Sequence, residues 1–265
     1  MKLFEIGVQN YKKRNSTHKK FLANKLKELI SQNVDKKYSK KLIAIVDNNY
    51  ERFISCPGSK NKHQPWEGGY LDHLIQTFEY AIHNYDKELI KFLPKHEQYS
   101  LSDVLLVLFF HDIEKIFKYV ESDFKIKNEY ALQYKNKSLA KKDLENKPFE
   151  NYKLSEVQKD GSIYFPSDKE IFANENGIKL ELRHRIGLHY VHGENYGSYD
   201  KGIRRQSPLG AAVGNADRFS ARNMFNVGYN QKGKLQKYSG PNLSGEYSGK
   251  LDSIINLVFD KKLLN

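Results

Sequence analysis

The sequence predicts an all-α bundle, and three observations support that fold class. Apolar residues recur at helical spacing from Lys20 to Val46, and a second amphipathic stripe runs from Leu71 to Tyr85. The run from Val104 to Phe110 is apolar on every side, which is typical of a helix at the centre of a domain. With 39% hydrophobic residues over 265 positions, the chain can bury one good core, and we interpret residues 1–265 as a single domain.

Each predicted element has its own signal. The first stripe indicates one or two N-terminal helices over residues 17–47, and the turn Gly68-Gly69 precedes the second, long helix. Ser100 and Asp103 have the spacing of an N-terminal cap for the apolar helix. That central helix is expected to carry His111 and Asp112 at its end.

The rest of the chain is more polar. Residues 121–166 are rich in Lys, Asn and Glu and predict a surface excursion, with a hairpin near Gly161. The Gly/Ser/Lys-rich residues 231–249 predict a loop. Helical patterning returns in three segments, at residues 169–190, 208–217 and 250–264.

Charge and cysteine usage restrict the function classes. The chain has 44 basic and 32 acidic residues, a net charge of +12, which favours polyanionic partners such as nucleotides or nucleic acid. Cys56 is the only cysteine, so an intrachain disulfide and a thiolate zinc site are excluded. The sequence lacks both a signal-peptide pattern and about 18 uninterrupted apolar residues, so we expect a cytoplasmic protein without membrane contact.

The pair His111-Asp112 is the strongest chemical signal, since it closes the most apolar helix. An ionised aspartate placed there is costly unless it is paired, and a divalent metal is a common partner. His73 and Asp217 are the other candidate ligands. Mixed imidazole and carboxylate ligands suit Mn, Fe, Co, Ni or Zn, with Mg also open. Such a metal activates water for hydrolysis without a covalent intermediate.

The order His73, then His111-Asp112, then Asp217 resembles the HD superfamily of metal-dependent phosphohydrolases. The turn Gly68-Gly69-Tyr70-Leu71-Asp72-His73 is similar to one branch, found in HD-domain 3′-to-5′ exoribonucleases and phage HD proteins. The resemblance covers about residues 60–120 and 170–225 and implies an HD-domain helical bundle. It also implies that the four residues hold a metal and that Asp112 both binds it and carries a proton.

The same resemblance suggests further site residues. His63 matches an upstream histidine that often precedes the Gly-Gly turn, and we expect it to contact substrate. The segment from His192 to Ser198 is similar to a His-Gly stretch before the last aspartate. It raises the prospect of a second ion, for which we favour His192 over His189 as the ligand. His184 is expected on a helix surface.

Basic residues near the motif are candidates for binding phosphate. Lys115 lies four residues after His111, which would place both on one helical face, and we also assign it a catalytic role. Glu114 replaces the glycine that many relatives have, and its charge is expected to act on Lys115. Arg218 and Arg222 share a face one turn apart, so each either clamps a phosphate or forms a structural salt bridge.

These observations favour a metal-dependent phosphohydrolase of nucleotides, acting on a monophosphate ester or a nucleoside triphosphate. A 3′-to-5′ nuclease of short single strands is the alternative within enzymes, and a di-iron oxygenase is a more distant one. A non-catalytic nucleotide or metal sensor is the alternative from another class. Base preference, the identity and number of metal ions, and oligomeric state stay open, and a homo-oligomer is compatible with the sequence.

Overall fold

The computed structural model describes residues 14–59, 62–118, 156–157, 163–164, 168–191 and 206–238. Within these ranges the protein is mostly helical, as predicted. The helices are α1 Ser16–Asn33, α2 Lys36–Asn48, α3 Tyr50–Ser55, α4 Gly69–Asn84, α5 Lys87–Ile90, a 3-10 turn Lys95–Glu97, α6 Leu101–Phe110, α7 Lys115–Lys118, α8 Asp168–Glu175, α9 Leu182–His189, α10 Pro208–Arg218 and a π turn Phe219–Asn223. The strands are β1 Glu156–Val157, β2 Ile163–Tyr164, β3 Val227–Tyr229 and β4 Leu235–Lys237.

The N-terminal stripe forms two helices that pack against each other, α1 and α2. Asn15 caps α1 by accepting a hydrogen bond from the backbone N–H of His18 at 2.8 Å. Leu22, Leu26 and Ile30 lie on the buried face of α1, as their spacing predicts. The short helix α3 follows without having been predicted, because six residues are too few to show a clear period.

Helix α6 is the centre of the core. Ser100 and Asp103 form the predicted cap as a full capping box, in which each side chain accepts from the other's backbone N–H. Every side chain from Val104 to Phe110 is buried. Helices α4 and α10 both pack on α6, so the long amphipathic helix and the small-residue helix meet around it. The helix ends at Phe110, two residues earlier than expected, and His111 and Asp112 stand in the turn that follows.

Two short antiparallel strand pairs accompany the helices. Strands β1 and β2 pair on either side of Gly161, which confirms the hairpin predicted within the excursion. Strand β4 pairs with β3, so the prediction of a loop over residues 231–249 is wrong at residues 235–237. The reason is that all three residues of β3, including Tyr229, are buried, and buried backbone N–H and C=O groups need hydrogen-bond partners. The backbone of β4 supplies these partners to β3. The rest of the predicted loop and the predicted helix 250–264 lie outside the described residues.

Helix α9 contributes His184 to a second His–Asp pair, whose aspartate, Asp103, lies on α6. The position of His184 differs from the prediction. That side chain is fully buried rather than on the surface. Its Nε2 lies 2.7 Å from Oδ1 of Asp103, and its Nδ1 accepts from the backbone N–H of Glu181 at 3.1 Å. The pair ties the start of α9 to the start of α6.

Because of the His184–Asp103 pair, we expect the free energy of unfolding to fall in acid. Burial alone would raise the pKa of Asp103, but hydrogen bonds from His184 and Ser100 outweigh it and lower the pKa from 3.8 to about 2. A lowered carboxyl pKa stabilises the fold above the unfolded value, and that stability is lost as the pH falls from about 4 to about 2. We expect Asp103→Asn to reduce the free energy of unfolding by roughly 2 kcal/mol at pH 6.

Urea unfolding of both proteins at pH 6 and near pH 2 measures this contribution. The difference between wild type and Asp103→Asn should shrink at the lower pH, because the wild-type carboxylate is then becoming protonated. A difference that stays constant over this range would show that the carboxylate charge contributes no stability.

Among the described helices, none is both long and apolar enough to cross a membrane.

Candidate metal centre

Four buried side chains converge where α4, the end of α6 and the end of α10 meet: His73, His111, Asp112 and Asp217. Each offers one ligand atom, and these four atoms all lie within 4.8 Å of one another. The Nε2 atoms of the two histidines are 3.2 Å apart. Oδ2 of Asp112 lies 3.3 Å from Nε2 of His111, and Oδ1 of Asp217 lies 3.4 Å from Nε2 of His73. This cluster could hold a metal ion, and it contains all four residues that the sequence predicted as ligands.

The Gly-Gly turn explains how His73 reaches the cluster. Gly68 has a φ of 74°, a left-handed conformation that favours glycine, and it directly precedes α4. A side chain at Gly69 would bring its Cβ within 2.0 Å of the carbonyl oxygen of Gln64, so the loop and the helix could not approach as they do. The two glycines therefore let the loop at Gln64 lie directly against the first turn of α4, where His73 projects.

The second histidine is oriented by its own helix. Nδ1 of His111 lies 2.5 Å from the carbonyl oxygen of Leu108. A carbonyl can only accept, so Nδ1 must bear the proton and donate it. Neutral His111 therefore has its lone pair on Nε2, which faces the centre of the cluster.

His73 is oriented by a longer chain of hydrogen bonds. Gln76 donates from Nε2 to the carbonyl oxygen of Val227 at 2.7 Å, which fixes its Oε1 as an acceptor. Oγ of Ser220 donates to that Oε1 at 2.7 Å and so accepts from Nδ1 of His73 at 2.9 Å. Both imidazoles thus hold their Nδ1 protons away from the centre and direct Nε2 toward each other, so that either a proton or a shared cation must lie between the two nitrogens.

The two carboxylates give the cluster a strong preference for positive charge. Burial disfavours an imidazolium at His111, but the charges of Asp112 and Asp217 outweigh burial and raise its pKa to about 10. Burial likewise opposes the Asp112 carboxylate, yet His111 and Lys115 hold its pKa well below the usual range. A bound divalent cation would supply this positive charge in place of a proton.

Lys115 is brought to the site, although not by the helical face that its spacing predicts. The chain turns between Phe110 and α7, and Lys115 instead reaches back to Oδ2 of Asp112 at 2.5 Å. Its Nζ also donates to the carbonyl oxygen of Gly58 at 2.7 Å. The ammonium group is therefore fixed against the same Asp112 oxygen that faces the two histidines.

Glu114, which the sequence suggested would act on Lys115, contacts Lys169 instead. Its Oε1 lies 3.6 Å from Nζ of Lys169, at the start of α8. Nζ of Lys169 also donates to the backbone carbonyl of His111. Glu114 and Lys169 thus connect α8 to the turn that carries two of the candidate ligands.

His63 lies beside the cluster, with its ring centroid 4.9 Å from that of His73. Its Nδ1 donates to Oε1 of Gln64 at 2.8 Å, because the amide nitrogen of Gln64 is used to donate elsewhere. Burial, followed by the charges of His73 and Lys115, lowers the pKa of His63 to about 3. A neutral His63 therefore keeps its Nε2 as a hydrogen-bond acceptor.

The structure does not bring the other predicted residues into the cluster. Arg218 donates from Nη2 to Oδ1 of Asn215 at 2.7 Å, and Arg222 is exposed on the π turn. His189 is exposed and packs against the ring of Tyr190, with the ring centroids 4.6 Å apart, so it stands outside the cluster. His192, the favoured candidate, lies outside the described residues.

Sequence reasoning missed the three polar residues that support His73: Gln64, Gln76 and Ser220. Gln64 adopts a φ of 38°, uncommon for a residue with a side chain, and donates to Oε1 of Gln76 at 2.9 Å. Gln76 and Ser220 each lie three residues after a candidate ligand, His73 and Asp217. That spacing was the available signal, because residues three apart on a helix share a face.

Removing the Ser220 hydroxyl tests this supporting role. We expect Ser220→Ala to weaken binding of Mn²⁺ about 10–100-fold, because the proton of His73 Nδ1 loses its acceptor and the ring its orientation. Titration calorimetry of wild type and variant measures the change. Thr77→Ala is the matched control, since it removes a buried hydroxyl on α4 that, among the described residues, donates to the carbonyl oxygen of Leu74 at 2.8 Å and not to a candidate ligand. Equal affinity in all three proteins would contradict the orienting role.

The fold and the site together define a mostly helical protein with a candidate metal centre. No family model matches the chain, and no curated protein or solved structure matches it either.

Proposed function

We propose that the protein is a metal-dependent phosphohydrolase of the HD type that acts on nucleotides. The observation that supports this most strongly is the convergence of His73, His111, Asp112 and Asp217, since they come from three separate elements and all four are buried. Two neutral imidazoles and two carboxylates form a donor set that suits Mn, Fe, Co, Ni or Zn. A bound ion of this kind lowers the pKa of a coordinated water and stabilises charge on a phosphoryl group.

The chain's own residues have distinct roles in this proposal. His73 and His111 each offer Nε2, with Nδ1 held by a hydrogen bond, so the two rings are preorganised. Among the described residues, Lys115 supplies a positive charge directly beside the cluster, with its Nζ 2.5 Å from Oδ2 of Asp112. It holds the carboxylate in the site and, with Nζ at the edge of the cluster, binds a phosphate oxygen of the substrate.

His63 is placed to contact the substrate as a neutral group. Because its Nδ1 proton is used by Gln64, its Nε2 accepts a hydrogen bond and does not donate one. It therefore suits a hydroxyl of the sugar or of the attacking water better than a phosphate oxygen. A nucleotide offers both groups on one small molecule, with phosphate toward Lys115 and hydroxyl toward His63.

Phosphate release by the purified protein tests the proposal. We expect Mn²⁺, Co²⁺ or Ni²⁺ to support release from ribo- or deoxyribonucleotides and chelation to stop it, with mono- and triphosphates tested separately. Asp112→Ala should lose the activity. Asp103→Asn, which alters the partly buried His184–Asp103 pair, should retain the activity at a temperature where the variant is folded.

Other outcomes separate the alternatives. Cleavage of a short single-stranded oligonucleotide alone would identify a nuclease. Tight metal and nucleotide binding without turnover would identify a sensor, and both results would contradict nucleotide hydrolysis.

A further inference from the structure

One oxygen atom of Asp112 faces both Lys115 and the two candidate histidine ligands. Nζ of Lys115 lies 2.5 Å from Oδ2 of Asp112. The same oxygen lies 3.3 Å from Nε2 of His111 and 3.6 Å from Nε2 of His73. The side chains of Lys115 and Asp112 are only 13% and 8% exposed, so water screens these charges little. An ammonium group and a divalent ion bound by the two imidazoles therefore compete for this oxygen at close range.

A second contact keeps Lys115 at the edge of the site. Its Nζ donates to the carbonyl oxygen of Gly58 at 2.7 Å. The backbone N–H of Gly58 donates in turn to the carbonyl oxygen of Gln64 at 2.9 Å, and a Cβ at Gly58 would lie 3.0 Å from the carbonyl oxygen of His63. An ammonium group that leaves Asp112 can therefore stay bound to the loop that carries His63.

The hydrogen-bonding capacity of Lys115 defines what it can bind after such a move. An ammonium group has three N–H donors, and Gly58 and Asp112 accept from two of them. Without the bond to Asp112, two donors and a positive charge that no carboxylate neutralises are available beside His63. A phosphate oxygen is a preferred partner for such a group.

We propose that Lys115 is an internal counter-ion of the metal centre, which leaves Asp112 when a divalent ion binds and then pairs with the phosphate of the substrate. The exchange couples the two ligands, because Asp112 neutralises the Lys115 charge until the ion has bound. Substrate phosphate therefore binds after the metal. The release from Asp112 depends only on the contacts of Lys115, whereas its pairing with phosphate rests on the proposed function.

Amine labelling of the wild-type protein tests the release. Acetylation by an N-hydroxysuccinimide ester, followed at each lysine by mass spectrometry, should be slow at Lys115 without metal and severalfold faster with saturating Mn²⁺. Added inorganic phosphate should make it slow again. Lys19 is the matched control, because its Nζ lies 2.6 Å from Oε1 of Glu67 and its side chain is 16% exposed, and its rate should stay constant.

The labelling outcomes separate the two parts of the proposal. A rate at Lys115 that Mn²⁺ does not change, or that changes equally at Lys19, would overturn the release. A rise with Mn²⁺ that phosphate does not reverse would support the release and contradict the phosphate-binding role of Lys115.

Lys115→Met tests the competition by the sign of its effect. Titration calorimetry should show Mn²⁺ binding at least about 10-fold tighter, because the ion no longer displaces a cation from Oδ2 of Asp112. A purely structural role predicts the opposite, since a poorly placed Asp112 binds the ion more weakly. Lys62→Met removes the same charge from an exposed position beside His63 and should change the affinity by no more than about twofold. Equal or weaker binding by folded Lys115→Met protein would refute the competition.

Discussion

Asp72→Ala is expected to lower the free energy of unfolding by about 3–5 kcal/mol, the largest single-residue stability effect that we predict. The Asp72 carboxylate is fully buried and lies 2.5 Å from Nη2 of Arg14. It also accepts from Nε1 of Trp66 at 2.7 Å and from the backbone N–H of Tyr229 at 3.0 Å. The substitution leaves the buried Arg14 without its closest counter-charge and removes an acceptor from two further donors.

The anchoring role of Asp72 is structural, although it is the neighbour of His73 in the sequence. It connects the first residues of the described chain, the Gly-Gly turn and β3, and Gly228 leaves room for it: a Cβ there would lie 2.6 Å from Asp72 Oδ2. Denaturant unfolding measures the loss. Glu88→Ala, which breaks an exposed pair with Lys91, is the control and should cost at most about 1 kcal/mol. A cost below about 1 kcal/mol for Asp72→Ala would contradict the anchor.

Asp112→Ala is expected to weaken Mn²⁺ binding by more than about 100-fold, beyond the effect of losing a supporting residue such as Ser220. The variant removes one of the two carboxylates that the described residues contribute to the cluster, and it also frees Lys115 from Asp112, so that the positive charge of Lys115 then repels the ion. Titration calorimetry of the folded variant measures the affinity. Asp103→Asn supplies the control, because it changes a partly buried carboxylate that pairs with a histidine outside the cluster. Unchanged Mn²⁺ affinity in Asp112→Ala would remove Asp112 from the ligand set.

Much of the site could be predicted from the sequence, because its ligands combine a recognisable order with strongly amphipathic elements. His73 and His111 are flanked by apolar runs that fix which side faces the core. The support of His73 by Ser220 could not be predicted, because the π turn that places the hydroxyl depends on tertiary packing. The three-residue spacing indicated that Ser220 shares a face with Asp217, but it did not indicate that the hydroxyl would contact His73.

Two errors have the same physical origin. His184 lies between Arg183 and Arg185, and such a charged neighbourhood is typical of a solvent-exposed residue. The side chain is buried because it forms a hydrogen bond with Asp103, which lies on a helix far away in the sequence. The residues of β4 are polar and lie in a Gly-rich stretch, but β3 offers them a backbone edge. In each case the outcome depended on a partner far away in the sequence. Helical periodicity, which identified α1 and α4 correctly, contains no information about such partners.

Anomalous diffraction from crystals equilibrated with Mn²⁺ shows whether these four residues bind a metal ion. We expect a peak bonded to Nε2 of both His73 and His111 and to carboxylate oxygens of Asp112 and Asp217, at distances of about 2.0–2.3 Å. At saturating Mn²⁺, a strong peak elsewhere with none among these four residues would contradict it.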